Sequence, residues 1–355
     1  MKNSIKTVLS VFAFILAFFV VFIGASAYFC LLYRHKGTKA SYRWSASDEF
    51  DISKIATVQK TGDTFTILNL ADVQPCDLED LKKLGVIHDE ITYLIETVKP
   101  DLITLTGDQT WSNENLISLK CLIGWLESYK IPYAPVFGNH DYGNDGDSAV
   151  AGLDYCCDLY ERAKYCLFDR GPNNIGTLGN YVVNVMEGDK VYTTLYMIDS
   201  GYAEYISDEQ IEWMKWNAEG IRKFNGGEYV QAKCFMHLPI PEFNRAYYEY
   251  RLSGGRNFDN GVYVTFSLYG SEQNGFFDAA KAINVKDIVC GHQHGNNFTL
   301  DYQGVRLTFA LKTGELNSYY EDDEVYLNGA TTLTLSGGDT TVKSVFVDRE
   351  RFHIN

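Results

Sequence analysis

A chain of 355 residues with 46% hydrophobic and 22% charged side chains holds enough apolar material for a sizeable core, which excludes intrinsic disorder as the default state. Its formal net charge of -15 excludes a nucleic-acid backbone as the main partner, because phosphate contacts need clustered Lys and Arg. A small phosphorylated substrate is not excluded, since metal ions can supply the local positive charge that the side chains lack.

In chain order the first object is the run VLSVFAFILAFFVVFIGASAYFCLLY, from Val8 to Tyr33. It carries no charge, exceeds the ~20 residues that cross a bilayer, and stops at Arg34, His35 and Lys36. Two readings are open: an N-terminal transmembrane helix over residues 1–33 that anchors the chain, and a signal segment cut after the small residues Ala25, Ser26 and Ala27. The apolar run continues past that site, which favours the anchor. The segment before the span is very short, so the body of the chain is expected outside the cytoplasm, membrane-anchored or, on the second reading, secreted. Residues 34–61 are polar and without periodicity and are expected to be a linker, which leaves 62–355 as one folded domain.

From there apolar runs and helical patterns alternate. Phe65 to Leu70 reads as a strand, a helical pattern runs from about Leu78 to Val98, and DLITLTGD is a second strand. A helix around Leu116 to Tyr129 precedes a third strand in YAPVFGNHD. This order predicts parallel strands covered by helices. GNYVVNV and VYTTLYMIDS read as adjacent strands, followed by the helix SDEQIEWMKWNAEGI with Ser207 as its N-cap. AKCFMHLP, KDIVCGHQH, GNNFTL, VRLTFAL, TTLTLSG and VKSVFVD complete a mixed α/β domain. Of eight cysteines, Cys121, Cys234 and Cys290 lie in apolar runs as core residues, and Cys156 or Cys157 with Cys166 is the only local disulfide available.

Five strands end in polar clusters that a packed core does not require: Asp72 and Gln74 in LADVQ, Asp108 in TGDQT, Asn139, His140 and Asp141 in FGNHD, His237 in FMHLP, and His292 and His294 in GHQH. Taken singly each is weak, because an Asp at a strand end is usually a cap, Gly-Asn a turn and a lone His a core residue. In open α/β sheets, however, ligands bind just beyond the carboxyl ends of strands. Carboxylate, amide oxygen and imidazole together are the donors that suit Mn, Fe or Zn. Two such ions roughly 3.5–4 Å apart, sharing one carboxylate, would clamp an in-line displacement at phosphorus.

The five blocks in this order resemble the calcineurin-like metallophosphoesterase superfamily, whose pattern is D-x-H, G-D, G-N-H-[DE], a lone His and G-H-x-H. The match runs over roughly residues 64–348, with Gln74 in place of the first His. GPNNIGTLGNYVVNV, MIDSGY, HLPIPE and LKTGELNSYY make the chain most similar to the purple-acid-phosphatase-like branch of plants and fungi. The resemblance implies a four-layer α/β/β/α sandwich and two divalent metal ions, one held by Asp72, Gln74, Asp108 and His294, the other by Asp108, Asn139, His237 and His292. His140 would be the non-ligand histidine that stabilises the transition state or protonates the leaving oxygen, with Asp141 orienting it. Gly291 and Gly295 would give the backbone the turn that aims His292 and His294 at different metals. Trp111 stands where purple acid phosphatases carry a Tyr, so two divalent ions are expected and not a purple ferric centre.

The activity so implied is two-metal hydrolysis of a phosphate ester by a metal-bridging hydroxide, on a phosphorylated small molecule or nucleotide. A phosphomonoesterase is the first expectation. A phosphodiesterase or nucleotide pyrophosphohydrolase is the alternative, and a metal-binding scaffold without activity the third reading.

Overall fold

The computed structural model describes residues 41–75, 81–110, 115–142, 152–201, 206–254, 275–314 and 328–347. The Val8–Tyr33 span, Trp111 and Cys76 fall outside these. Among the described residues no helix is long and apolar enough to cross a membrane.

The described elements, in chain order, are β1 (Ala56–Gln59), β2 (Thr64–Leu70), α1 (Leu81–Val98), β3 (Leu102–Thr106), α2 (Asn115–Tyr129), β4 (Tyr133–Val136), α3 (Leu153–Arg162), β5 (Tyr181–Glu187) and β6 (Lys190–Met197). They continue with α4 (Asp208–Phe224), β7 (Ala232–Phe235), α5 (Glu242–Leu252), α6 (Phe276–Ala282), β8 (Val285–Cys290), β9 (Thr299–Tyr302), β10 (Val305–Phe309), β11 (Gly329–Ser336) and β12 (Asp339–Phe346). A five-stranded sheet runs β12-β11-β2-β3-β4 and a seven-stranded sheet β1-β5-β6-β7-β8-β10-β9.

β3 is buried at all five positions of LITLT, as a strand covered on both faces must be. It pairs in parallel with β2 and β4. In the second sheet β6, β7, β8 and β10 are likewise parallel neighbours. Their alternating residues sort into two cores. Leu195, Met197, Phe235 and Val289 join the apolar side chains of the five-stranded sheet, α1 and α2. Tyr196, Cys234, Ile288 and Cys290 pack instead with α4, α5 and α6. α4 begins with the capping box formed by Ser207 and Gln210, carries Asp208 and Glu209 in its first turn and Arg222 and Lys223 in its last, so charge and caps agree with its dipole.

Within the expected linker 34–61, the described residues 41–61 are part of the fold. β1 pairs in parallel with β5, and Trp44, Phe50, Ile52 and Ile55 pack on the second core. Four residues, ATVQ, are too few for a period-2 pattern to stand out from coil. The local disulfide is also corrected: among the described residues Cys156, Cys157 and Cys166 are buried in the first core without a disulfide between them, and Cys234 and Cys290 are buried in the second.

At the amino ends of β7 and β8 a buried ion pair ties one sheet to the other. Lys233 Nζ donates to Asp287 Oδ2 at 2.8 Å and to Thr340 Oγ1 of β12 at 2.8 Å, and Arg306 donates to Asp287 Oδ1 at 3.1 Å. Burial depresses the Lys233 ammonium, and Asp287 holds its charge in place.

A candidate dinuclear metal centre

β2, β3, β4, β7 and β8 all deliver their carboxyl ends to one place, and the loops there adopt costly backbone conformations. Asp72 (φ 52°), Gln74 (φ 39°), Asp108 (φ 50°) and His292 (φ 71°) lie in the left-handed region. Non-glycine residues stay there only when their surroundings over-determine them, and such residues collect at functional sites. The turn that aims the two histidines of GHQH is thus made at His292 itself. Gly291 serves by its lack of a side chain: a Cβ there would come within 2.6 Å of both Asp72 Oδ2 and the Thr106 carbonyl oxygen.

Two donor groups form around Asp108, which is shared: Asp108, His237 and His292 in one, Asp72, Asp108 and His294 in the other. Asn139 completes the first. Its Oδ1 lies 2.9 Å from His237 Nε2 and 3.0 Å from His292 Nδ1, and those nitrogens are 3.3 Å apart. His237 Nδ1 sits 2.9 Å from the Thr106 carbonyl oxygen, which requires the proton on Nδ1 and turns the Nε2 lone pair into this triangle. Ligand atoms at 2.0–2.1 Å from one tetrahedral ion sit roughly 3.3 Å apart, and octahedral ones somewhat closer. The triangle has the dimensions of one coordination face, so the residues fit a divalent ion. In the second group His294 Nε2 lies 3.4 Å from Asp72 Oδ1, and His292 N donates to both Asp72 oxygens at 3.1 and 3.0 Å.

The electrostatics agree with a cation site. Burial, reinforced by the charges of Asp72 and Asp141, drives the Asp108 carboxyl well above the usual range. Asp72 is buried too, but the hydrogen bond and charge of His294 outweigh that and hold it below the usual range. Burial keeps His237 and His292 neutral, lowering the first and taking the second down to about 3. Neutral imidazoles beside buried carboxylates are what a divalent ion requires of its ligands.

Three expected residues take parts that their positions in the chain do not reveal. Gln74, expected as a ligand beside Asp72, Asp108 and His294, donates its amide nitrogen to Asp108 Oδ2 at 2.9 Å and so supports the shared carboxylate. Asp141 does not orient His140. Its Oδ2 accepts from Gly138 N (2.8 Å) and Gln109 N (3.3 Å), and its Oδ1 from Thr110 N (3.0 Å) and Thr110 Oγ1 (2.9 Å), which clamps the β3 loop to the β4 loop. His140 donates its backbone N–H to Asp108 Oδ1 at 2.9 Å, and its side chain, 16% exposed, brings Nε2 to 3.9 Å from Asp108 Oδ2.

Lys312, in the segment LKTGELNSYY that follows β10, belongs to the site although it is not among the expected site residues. It is 1% exposed and donates to the backbone carbonyl of Asp72 beneath the donor groups. A lysine inside the apolar run TFALKT is the sequence signal for it.

The calcineurin-like phosphoesterase family model matches residues 65–296. "Phosphatase DCR2" of Saccharomyces cerevisiae is 26% identical over 234 residues, covering 59% of this chain but only 38% of the yeast protein. "Probable inactive purple acid phosphatase 29" of Arabidopsis thaliana is 24% identical over 327 residues, 84% of this chain and 80% of the plant protein. A crystal structure of a dimetal phosphatase from Danio rerio superposes with a TM-score of 0.50 at 12% identity, over 79% of this chain and 95% of that one, a likeness of fold. With the family model matching well over half of its length, this chain belongs to the calcineurin-like phosphoesterase family.

Proposed function

We propose that the chain is a two-metal phosphoesterase, in the four-layer sandwich form of its family, that hydrolyses a phosphate monoester. The observation that carries the reading is the pair of donor groups sharing Asp108, with Asn139 closing a triangle of coordination size. Asp72, Asp108 and His294 would hold one divalent ion, and Asp108, Asn139, His237 and His292 the other, with Gln74 fixing the shared carboxylate. The donor set suits Mn, Fe or Zn. Ions bound there lower the pKa of water and neutralise phosphate charge.

The chain's own residues then divide the remaining work. Thr106 fixes the tautomer of His237. Asp141 holds the two ligand loops together. His140, partly exposed beside Asp108 and outside both donor groups, is placed to give a proton to the leaving oxygen. The Arabidopsis relative is named inactive, which favours a scaffold as the second reading; against it stand the complete donor groups and His140. A screen of monoesters, diesters and nucleotide diphosphates with added Mn²⁺ tests the function. Monoester turnover that EDTA removes is expected. Preference for a diester or diphosphate replaces the substrate class, and no turnover on any of the three leaves the scaffold.

The same proposal includes an N-terminal anchor, supported by the uncharged Val8–Tyr33 run, with the body outside the cytoplasm. Protease added to intact cells should cut the body, and the chain should sediment with membranes. A soluble product beginning at Tyr28 would instead establish cleavage.

A further inference from the structure

The sequence segments GPNNIGTLGNYVVNV, MIDSGY and HLPIPE supply one candidate ligand, His237, yet they meet directly behind the donor groups. Their centre is Asp199, beyond the end of β6 and 1% exposed. Its carboxylate accepts from the Tyr142 hydroxyl through Oδ2 and from Gly201 N through Oδ1 at 3.2 Å. Its backbone N–H donates to Asn180 Oδ1 at 3.0 Å, and its carbonyl accepts from Gln210 Nε2 at 2.8 Å and Thr177 Oγ1 at 3.3 Å. Gln210 belongs to the capping box of α4, so the Asp199 loop is fixed to that helix as well as to the segment before β5. Next to it, Ser200 Oγ accepts from Leu238 N at 2.9 Å, which anchors the residue following His237 to the same loop.

Tyr142 is the last residue of the short helical turn Asn139–Tyr142 that presents Asn139 and His140. The turn is joined to the five-stranded sheet by Asp141 and by the bond from His140 N to Asp108. Tyr142 joins it to the seven-stranded sheet. Asn139 and His237 therefore reach the same triangle from different sheets, and both are anchored on the loop Asp199–Ser200. The Asp72 and His294 side of the centre does not depend on this anchor, because His292 N bonds the Asp72 carboxylate directly and Lys312 holds the Asp72 carbonyl.

We propose that Tyr142 and Asp199 are a pair of positioning residues that register the Asn139 turn against the His237 loop, and so govern the metal position made by Asp108, Asn139, His237 and His292 without governing the other. This rests on the two-metal reading above. It also gives the three segments a physical role, as the frame that sets the spacing of ligands contributed by different sheets.

The test is a Mn²⁺ titration of the full chain, free of other metals, comparing the wild type with Tyr142→Phe, Asp199→Asn and the double variant. Both substitutions are close in shape to the native side chains. In each, uptake of one ion should match the wild type while uptake of the other weakens by about 10–100-fold, the usual effect of losing an outer partner of a ligand. The double variant should be no worse than Tyr142→Phe alone, since that change already removes the bond that Asp199→Asn only strips of its charge. Two wild-type steps in both single variants overturn the proposal. So does equal weakening of the two steps, which marks a general loss of structure. A wild type that takes up fewer than two ions overturns the two-metal reading and the proposal with it.

Discussion

Asp108→Asn is expected to lose both ions and with them measurable turnover, while the metal-free chain becomes no less stable. The two parts have one cause. Asp108 is the group common to both donor sets, so removing its charge weakens both positions at once. Losing an outer partner of one ligand typically costs about 10–100-fold in affinity or activity, and loss of a shared ligand charge should exceed that at each position. Without metal, however, the same carboxylate is a buried acid whose ionised form is unwelcome. Its folded pKa lies above the unfolded value of ~3.9, so the folded chain binds more protons than the unfolded one above that pH. Its contribution to stability is therefore fully present below pH ~4 and is lost as pH rises towards the folded pKa. Asn carries no such term. Its Oδ1 can still accept from His140 N, and Gln74 can turn its amide oxygen towards the new amide nitrogen. Metal-free melting curves at pH 5 and pH 8 should show the variant at or above the wild type, with the larger gap at pH 8. A variant that keeps two ions and full turnover would remove Asp108 from the centre.

His140→Ala separates chemistry from binding. The hydrogen bond that His140 makes to Asp108 Oδ1 comes from its backbone, which alanine retains, and neither donor group includes its ring. Metal content and KM should therefore stay close to wild type while kcat falls by about 10²–10⁴, the range for a positioned general acid or base. The loss should shrink for nitrophenyl phosphate, whose leaving group departs without a proton, and grow for alkyl phosphates. Equal losses on both would make the ring an electrostatic stabiliser, and loss of an ion would make it a ligand. The two variants together divide the centre into groups that hold ions and a group that moves a proton.

The strand ends are legible in the sequence because the physics that marks them is local. Asp72, Asp108, Asn139, His237 and His292 each interrupt an apolar strand where the chain must turn, and their spacing along the chain survives in space because parallel strands all end at one edge of the sheets. The same rule applies to Asp199, which follows β6 in the same manner. Asp141 misleads because adjacency to His140 suggests a partnership, whereas its oxygens are claimed by N–H groups of a loop some thirty residues earlier. Gln74 stands in the place of an imidazole, yet its amide nitrogen faces Asp108. β1 and the helices α3, α5 and α6 escape a sequence reading for a different reason. Their signals are short or mixed with Tyr, Arg and Glu, and tertiary packing decides them.

The most direct test of the two-metal reading is to count ions and turnover in one sample: full chain stripped with chelator, reloaded with Mn²⁺, then assayed on a chromogenic phosphate monoester. Two ions per chain, with hydrolysis that rises as the second ion enters and disappears on chelation, is the predicted result. Two ions without hydrolysis of any phosphate ester would contradict the catalytic reading, and hydrolysis undiminished in the stripped chain would contradict the role given to the metals.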